Sequence, residues 1–214
     1  LMIASENENL EIVQMLLQHN INVDLQNKDN LTALMISTNK LKMLSLIGDP
    51  EFSIKRQDKI VEMLIQAGAN QQLTDKTGNN ALFFAISKNR INMVKMLLNA
   101  NTNASNTNAS NLNAQNNDNL TALIAAVEKG CLEIVKLLLQ HNVNVDLQGD
   151  NMNTALIAAV EKECLEIVKL LLQHNVNVDL QGDNMNTALI AAVEKECLEI
   201  VKLLLQHNVN VDLQ

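Results

Sequence analysis

Thiols and imidazoles are the side chains best able to do chemistry in this 214-residue chain, and both recur at a fixed interval. Cys131, Cys164 and Cys197 stand 33 residues apart, and so do His141, His174 and His207, while His19 lies in a more divergent stretch. A thiol beside an imidazole could be a nucleophile with its base, and converging imidazoles could hold a metal ion. Spacing argues against both. Cys131 and His141 sit at opposite ends of one predicted helix, about 15 Å apart along its axis. The four histidines fall one per repeated segment, about one helix spacing (~8–10 Å) from one another, whereas zinc needs its nitrogens at ~2 Å. A disulfide needs Cα atoms within ~7 Å, so equivalent cysteines on successive segments are expected to stay unpaired, as suits a reducing, cytoplasmic setting. No phosphate-binding loop, zincin motif or Gly-x-Ser-x-Gly elbow occurs. The expectation is a non-enzyme with no catalytic residue, metal or cofactor.

The elements that carry these residues are internal repeats. Residues 121–153 read TALIAAVEKGCLEIVKLLLQHNVNVDLQGDNMN; residues 154–186 repeat them with one change, Gly130 to Glu163. Residues 187–214 repeat that copy again as far as Gln214. Degenerate copies occupy 1–31, 32–79 and 80–120, with inserts at about 41–55 and about 103–110. Six segments of one 33-residue pattern predict a single array over 1–214, its first and last members partial. Leu1 falls inside a predicted helix and Gln214 before the next turn, so the chain reads as a piece of a longer protein. Uncovered terminal repeats are expected to self-associate or fray.

Each unit reads the same way. Thr121, Thr154 and Thr187, with Asn80 in a divergent copy, precede a short apolar run and are expected to cap a first helix from Ala122 to about Val127. A second helix spans about Leu132 to His141, with Leu132, Val135, Leu138 and Leu139 facing inward. Glu133 in its first turn and His141 in its last suit the helix dipole. Asn142, with Asn20, Asn101, Asn175 and Asn208, stands where Gly68 stops a related helix, and Asn tolerates the left-handed conformation this needs. Val143 to Gln148 alternates in an extended manner, and Gly149 to Asn153 turns back to the next Thr. The first insert is expected to lengthen its first helix to about Leu46 and then turn at Gly48-Asp-Pro50. The Asn-Thr-Asn-Ala-Ser tandem at 101–110 reads as a flexible loop. Phe83 and Phe84, neighbours in sequence, cannot share one helix face; one is expected to point inward, and the other is the less favoured candidate for an exposed contact residue.

These residues resemble the ankyrin repeat family. Thr-Ala-Leu-Ile-Ala-Ala stands where the family has Thr-Pro-Leu-His-x-Ala; Leu-Leu-Leu-Gln-His-Asn-Val-Asn-Val-Asp is similar to its Leu-Leu-Leu-x-x-Gly-Ala-x-Val-Asn, and Asp75-Lys-Thr-Gly78 to its hairpin tip. Met152 and Met185 replace the tip glycine, and Glu163 and Glu196 the inter-helix glycine, so tips and turns of the last two repeats are expected to be less regular. The resemblance implies an all-α solenoid of helix-turn-helix units with short β-hairpin loops. It also implies a binding surface on the concave side, made by tips and first helices. Carried over by position, that surface contains Glu128, Lys129, Gln148, Asp150, Asn151 and Asn153, then Glu161, Lys162, Gln181, Asp183, Asn184 and Asn186, then Glu194 and Lys195.

Composition limits the partner. Hydrophobic residues make up 47% and aromatics only 1%, with three Phe and neither Trp nor Tyr, so the stacking platforms of nucleic-acid binders are missing. Net charge is −8, and residues 121–214 hold 13 acidic against six basic residues while 1–120 are nearly balanced at 11 against 10. This field repels nucleic acid and suits a basic protein. No apolar run approaches the ~18 residues of a membrane span. The expectation is a protein-interaction scaffold with no nucleic acid, membrane insertion or small-molecule substrate. Its alternative is a spacer or targeting arm of a larger multidomain protein.

Overall fold

The computed structural model describes residues 1–39, 50–102 and 112–213. The chain divides into two compact units, Leu1–Asn106 and Thr107–Gln214. The first contains α1 (Met2–Glu6), α2 (Leu10–Gln18), α3 (Ala33–Asn39), α4 (Pro50–Gln66), α5 (Ala81–Ser87) and α6 (Ile91–Thr102). The second contains α7 (Ala122–Glu128), α8 (Leu132–Gln140), α9 (Ala155–Glu161), α10 (Leu165–Leu172), α11 (Ala188–Glu194) and α12 (Leu198–Gln206). Odd-numbered helices touch in chain order, α1 on α3 on α5 and α7 on α9 on α11; even-numbered ones do the same, α2 on α4 on α6 and α8 on α10 on α12. Within each unit, then, the repeats lie side by side as all-α layers.

The caps form as expected. Thr121, Thr154 and Thr187 Oγ1 accept from Ile124, Ile157 and Ile190 N–H at 3.2–3.3 Å, Thr32 from Met35, and Asn80 Oδ1 from Phe83. Each capping residue is buried, so its side-chain oxygen answers a backbone donor that water cannot reach. Small Ala122 and Ala126, at 1% and 0% exposure, bring the first helices close. In the second helix Ile134, Val135, Leu138 and Leu139 are buried. Leu132, expected inward, is only half-buried, and Ile134 takes its place. A helix flanked by two neighbours is covered on two sides, so its apolar stripe is wider than one periodic row.

Left-handed residues close the turns. Asn20, Asn142, Asn175 and Asn208 have φ of 50–56°, and Gly68 has 83°. Asn101 departs from this: α6 runs on to Thr102 and continues through that position. At the inter-helix turn Gly130 has φ 65°, and Glu163 and Glu196 adopt 54° and 56°. The loss of regularity expected there does not occur: Cys131, Cys164 and Cys197 N–H donate to Ala126, Ala159 and Ala192 carbonyls at 2.9–3.1 Å. Two glutamates are thus held where glycine carries no Cβ penalty. Glu163→Gly and Glu196→Gly should each stabilise the chain by about 0.5–1 kcal/mol, read as higher urea midpoints, and Gly130→Glu should lower the midpoint.

The tips do come in two forms. Asn27, Asp75 and Asn116 each accept from the backbone N–H two and four residues on. Gly149 and Gly182 replace that acceptor, and Asp150–Met152 and Asp183–Met185 form short 3-10 turns with two left-handed residues each. A Cβ on Gly149 would lie 2.9 Å from Ile124 Cδ1, so the tip backbone sits directly on the first helix of its own repeat.

Val143-Asn-Val-Asp146 is a turn and not the extended segment expected; the described residues contain no strand, only an isolated bridge from Gln115 to Thr121. The Asn144 side chain accepts from Asp146 N–H at 3.0 Å. The Asp146 carboxylate then accepts from Asn177 N–H in the next repeat, and Asp179 from Asn210, both at 2.8 Å. Asp24 does the same for Asn70. The motif is an Asx-turn ladder tying each repeat to the next. The first-insert helix to Leu46 and its turn at Gly48 lie outside the described residues, as does most of the 101–110 tandem, of which Asn101 and Thr102 end α6. The insert's tail from Pro50 lengthens the second helix, with Pro at the first position, where its missing N–H costs nothing.

Candidate functional site

The tips of two repeats and the first helices of two repeats line a cleft of about 330 Å³ in the second unit. Its lining is Asp118, Leu120, Ile124, Glu128, Asp150, Asn151, Asn153, Ala158 and Glu161. Capping by Thr121 and Thr154 fixes α7 and α9, whose last residues are Glu128 and Glu161. The 3-10 turn after Gly149 delivers Asp150 and Asn151 from the other side. Asn153 Nδ2 reaches Glu161 Oε1 at 3.2 Å, joining tip to helix end. Leu120, Ile124 and Ala158 make an apolar floor, and Asp118, Glu128, Asp150 and Glu161 place four carboxylates around it with no cation in the lining. Nothing in the cleft pairs a nucleophile with a base; it can hold an elongated side chain with a positive end.

The cleft gathers Glu128, Asp150, Asn151, Asn153 and Glu161 of the residues carried over by position. Asp183, Asn184, Asn186 and Glu194 hold the same places one repeat on, with Asp183 Oδ1 accepting from Asn184 N–H. Lys129, Lys162 and Lys195 are exposed at the ends of α7, α9 and α11, outside that lining. Gln148 serves the fold: its Nε2 donates to the Gln181 carbonyl at 2.7 Å, as Gln115 does to that of Gln148. Gln181, half-buried, accepts that bond. Asp118 is the lining residue that position-matching missed; its tip lies in an Asn-rich stretch that hides the repeat.

The thiols and imidazoles have local roles. Cys131, Cys164 and Cys197 Sγ lie 3.5–3.6 Å from the carbonyls of Lys129, Lys162 and Lys195. Burial raises the Cys131 thiol above its ordinary value, with Lys129 opposing. Cys197 is raised by burial and then by the Glu163 carboxylate. His174 and His207 Nδ1 lie 2.9 and 2.8 Å from the carbonyls of Leu170 and Leu203 at the ends of their helices. Phe83 is buried in α5 and Phe84 is half-buried, so neither is a fully exposed contact. No helix among the described residues is long and apolar enough to cross a membrane.

The family model for ankyrin repeats in sets of three matches residues 51–149, 106–182 and 144–214, and the single-repeat model matches residues 1–28. The chain belongs to the ankyrin repeat family. Ankyrin repeats are generally protein–protein interaction modules on a generally non-catalytic fold. Among solved structures, this ankyrin chain is similar to the ankyrin repeat domain of Bcl-3, a member of the IkappaB family: TM-score 0.80, 27% identity, 100% of this chain and 87% of that one. It is similar also to an ankyrin repeat domain from Acinetobacter baumannii: TM-score 0.81, 25% identity, 98% and 97%. Curated relatives include the mouse B-cell lymphoma 3 protein homolog (32% identity, 41% of this chain, 18% of the relative) and the chicken nuclear factor NF-kappa-B p105 subunit (33%, 44% and 9%). A fission-yeast glycerophosphocholine phosphodiesterase is 37% identical over 42% of this chain and 7% of its own length. The matches span less than a fifth of each of these relatives.

Proposed function

We propose that this chain is a non-enzymatic scaffold that binds a basic protein partner through the tips and first helices of its second unit. The cleft's composition carries this reading. An apolar floor under four carboxylates fits a Lys or Arg side chain, which lays its stem on apolar surface and keeps its charge among acceptors. The same residue types return one repeat on, so a partner with several spaced basic groups is gripped at several points. The family's general role supports a protein ligand, and the negative field disfavours nucleic acid. Residues 1–214 act on this reading as one array in a reducing, cytoplasmic setting. The second reading, an arm of a larger multidomain protein, draws on the small share of each curated relative that is matched.

Titration with Lys/Arg-rich and Asp/Glu-rich peptides of equal length tests the proposal. The chain should bind the basic set, more weakly as salt rises, and Asp150→Lys with Asp183→Lys should weaken that binding about tenfold. Equal binding of both sets, or unchanged affinity in the variant, would remove the acidic surface from consideration.

A further inference from the structure

We infer that the cleft between the fourth and fifth repeats anchors a single Lys or Arg side chain of the partner, with Leu120 as its deciding residue, and that the matching place one repeat on is closed by Asn153. The inference rests on the reading of these tips as the surface for a basic protein, and makes the grip unequal from repeat to repeat. Moving 33 residues along the chain carries Ile124 onto Ile157, Glu128 onto Glu161 and Asp150 onto Asp183. Two lining positions break the copy: Leu120 gives way to Asn153, and Asp118 to Asn151.

These two changes alter what each carboxylate does. Asn153 Nδ2 donates to Glu161 at 3.2 Å. Its Oδ1 lies so near the Gly182 backbone that a Cβ on Gly182 would collide with it. The amide therefore stands between the end of α9 and the tip that follows, and Gly182 is buried. Leu120 has no donor to offer Glu128. Gly149, the counterpart of Gly182, is only half-buried, and the nearest atoms to a Cβ there are Ile124 Cδ1 and backbone oxygens. The tip aspartates differ as well. Asp183 accepts from its neighbour Asn184, from N–H at 2.9 Å and from Nδ2 at 3.3 Å. Among the described residues the carboxylates of Asp118, Glu128 and Asp150 have no hydrogen-bond or ion-pair partner. The first cleft thus keeps open acceptors above an apolar floor. In its copy Glu161 and Asp183 are already engaged, and an amide has replaced one carboxylate. A carboxylate that already accepts from amides gains less from an ammonium or guanidinium group. An amide in place of Leu also removes apolar surface on which the stem of a Lys or Arg would lie.

Titration of single variants with the Lys/Arg-rich peptide separates this from the charge of the surface as a whole. Asp150→Asn and Asp183→Asn remove the same charge from exposed tips of identical sequence. The first should weaken binding about tenfold and the second less than about twofold. Leu120→Asn leaves the net charge unchanged and should still weaken binding about fivefold. Circular dichroism checks that each variant keeps its helices; should Leu120→Asn lose them, Asp118→Asn takes its place with the same expected loss. Equal losses in Asp150→Asn and Asp183→Asn, or full affinity in a folded Leu120→Asn protein, would overturn the inference while a preference for basic over acidic peptides left the acidic surface standing. Equal binding of the basic and acidic sets would remove both.

Discussion

Replacing Arg90 with Met should cost about 3–5 kcal/mol of stability, the largest effect expected of a substitution away from the apolar core. Arg90 lies at the inter-helix turn of the third repeat and is 9% exposed. Its Nη1 donates to Gln57 Oε1 at 2.7 Å and its Nη2 to Asp58 Oδ1 at 3.1 Å. Gln57 Nε2 in turn donates to Glu8 Oε1 at 2.8 Å, and Ser53 Oγ to Glu8 Oε2 at 2.7 Å. Glu8 is buried at the equivalent turn of the first repeat. The long α4, extended by insert residues, spans the gap and links three repeats through one buried chain of charged and amide groups. Removing the guanidinium leaves the Asp58 carboxylate shielded from water without its cation, and Gln57 Oε1 without a donor. Urea unfolding should show the loss, with hydrogen-exchange protection falling first in repeats one to three. Adding Asp58→Asn should recover part of it, because the Asp58 charge is then gone while Glu8 keeps its donors Ser53 and Gln57. By contrast, Lys136→Ala removes an exposed pair with Glu133 and should change stability by less than about 0.5 kcal/mol. Equal effects of the two substitutions would show that the network does not hold these repeats.

Leu172→Ala and Leu205→Ala should differ by about 2 kcal/mol although the two residues sit in the same local sequence. Leu172 is 6% exposed, covered by the helices of the repeat after it, whereas Leu205, in the last described helix, is 49% exposed. A fully buried Leu→Ala change costs about 2–5 kcal/mol, from lost transfer energy and the cavity left behind. At Leu205 most of the side chain already meets water, and about 1 kcal/mol or less is expected. The flanking sequence, and with it the helix propensity of the neighbours, is the same at the two sites and cancels. Equal costs would mean that burial within a repeat, and not cover by the neighbour, holds the side chain.

Much of this was legible because the pattern is local and repeated. A Thr before Ala-Leu-Ile specifies an N-cap whatever surrounds it, and the first and second helices end within a residue of where the periodicity places them. Left-handed Asn142 and its counterparts follow from the same logic. What escaped depends on partners distant in sequence. Glu8, Gln57 and Arg90 meet across separations of 49 and 33 residues, and Arg90 has no counterpart in the identical copies, so no repetition marks it. Gln148 looks like a surface amide until the next repeat supplies the Gln181 carbonyl. Val-Asn-Val-Asp alternates like a strand, yet its Asn side chain bonds two residues ahead and bends it. The cleft was half visible: Glu128, Asp150 and Glu161 follow from position, but the apolar floor of Leu120, Ile124 and Ala158 emerges only when two repeats are placed together.

Side-by-side stacking in chain order is tested most directly by the native thiols, one at the same place in each of the last three repeats. With Cys164→Ser, spin labels on Cys131 and Cys197 report the distance across two repeat steps; with Cys197→Ser, labels on Cys131 and Cys164 report one step. Stacking predicts narrow distributions, with backbone separations near ~10 Å for one step and ~20 Å for two. A two-step distance no longer than the one-step distance, or a broad spread reaching beyond ~30 Å, would contradict it.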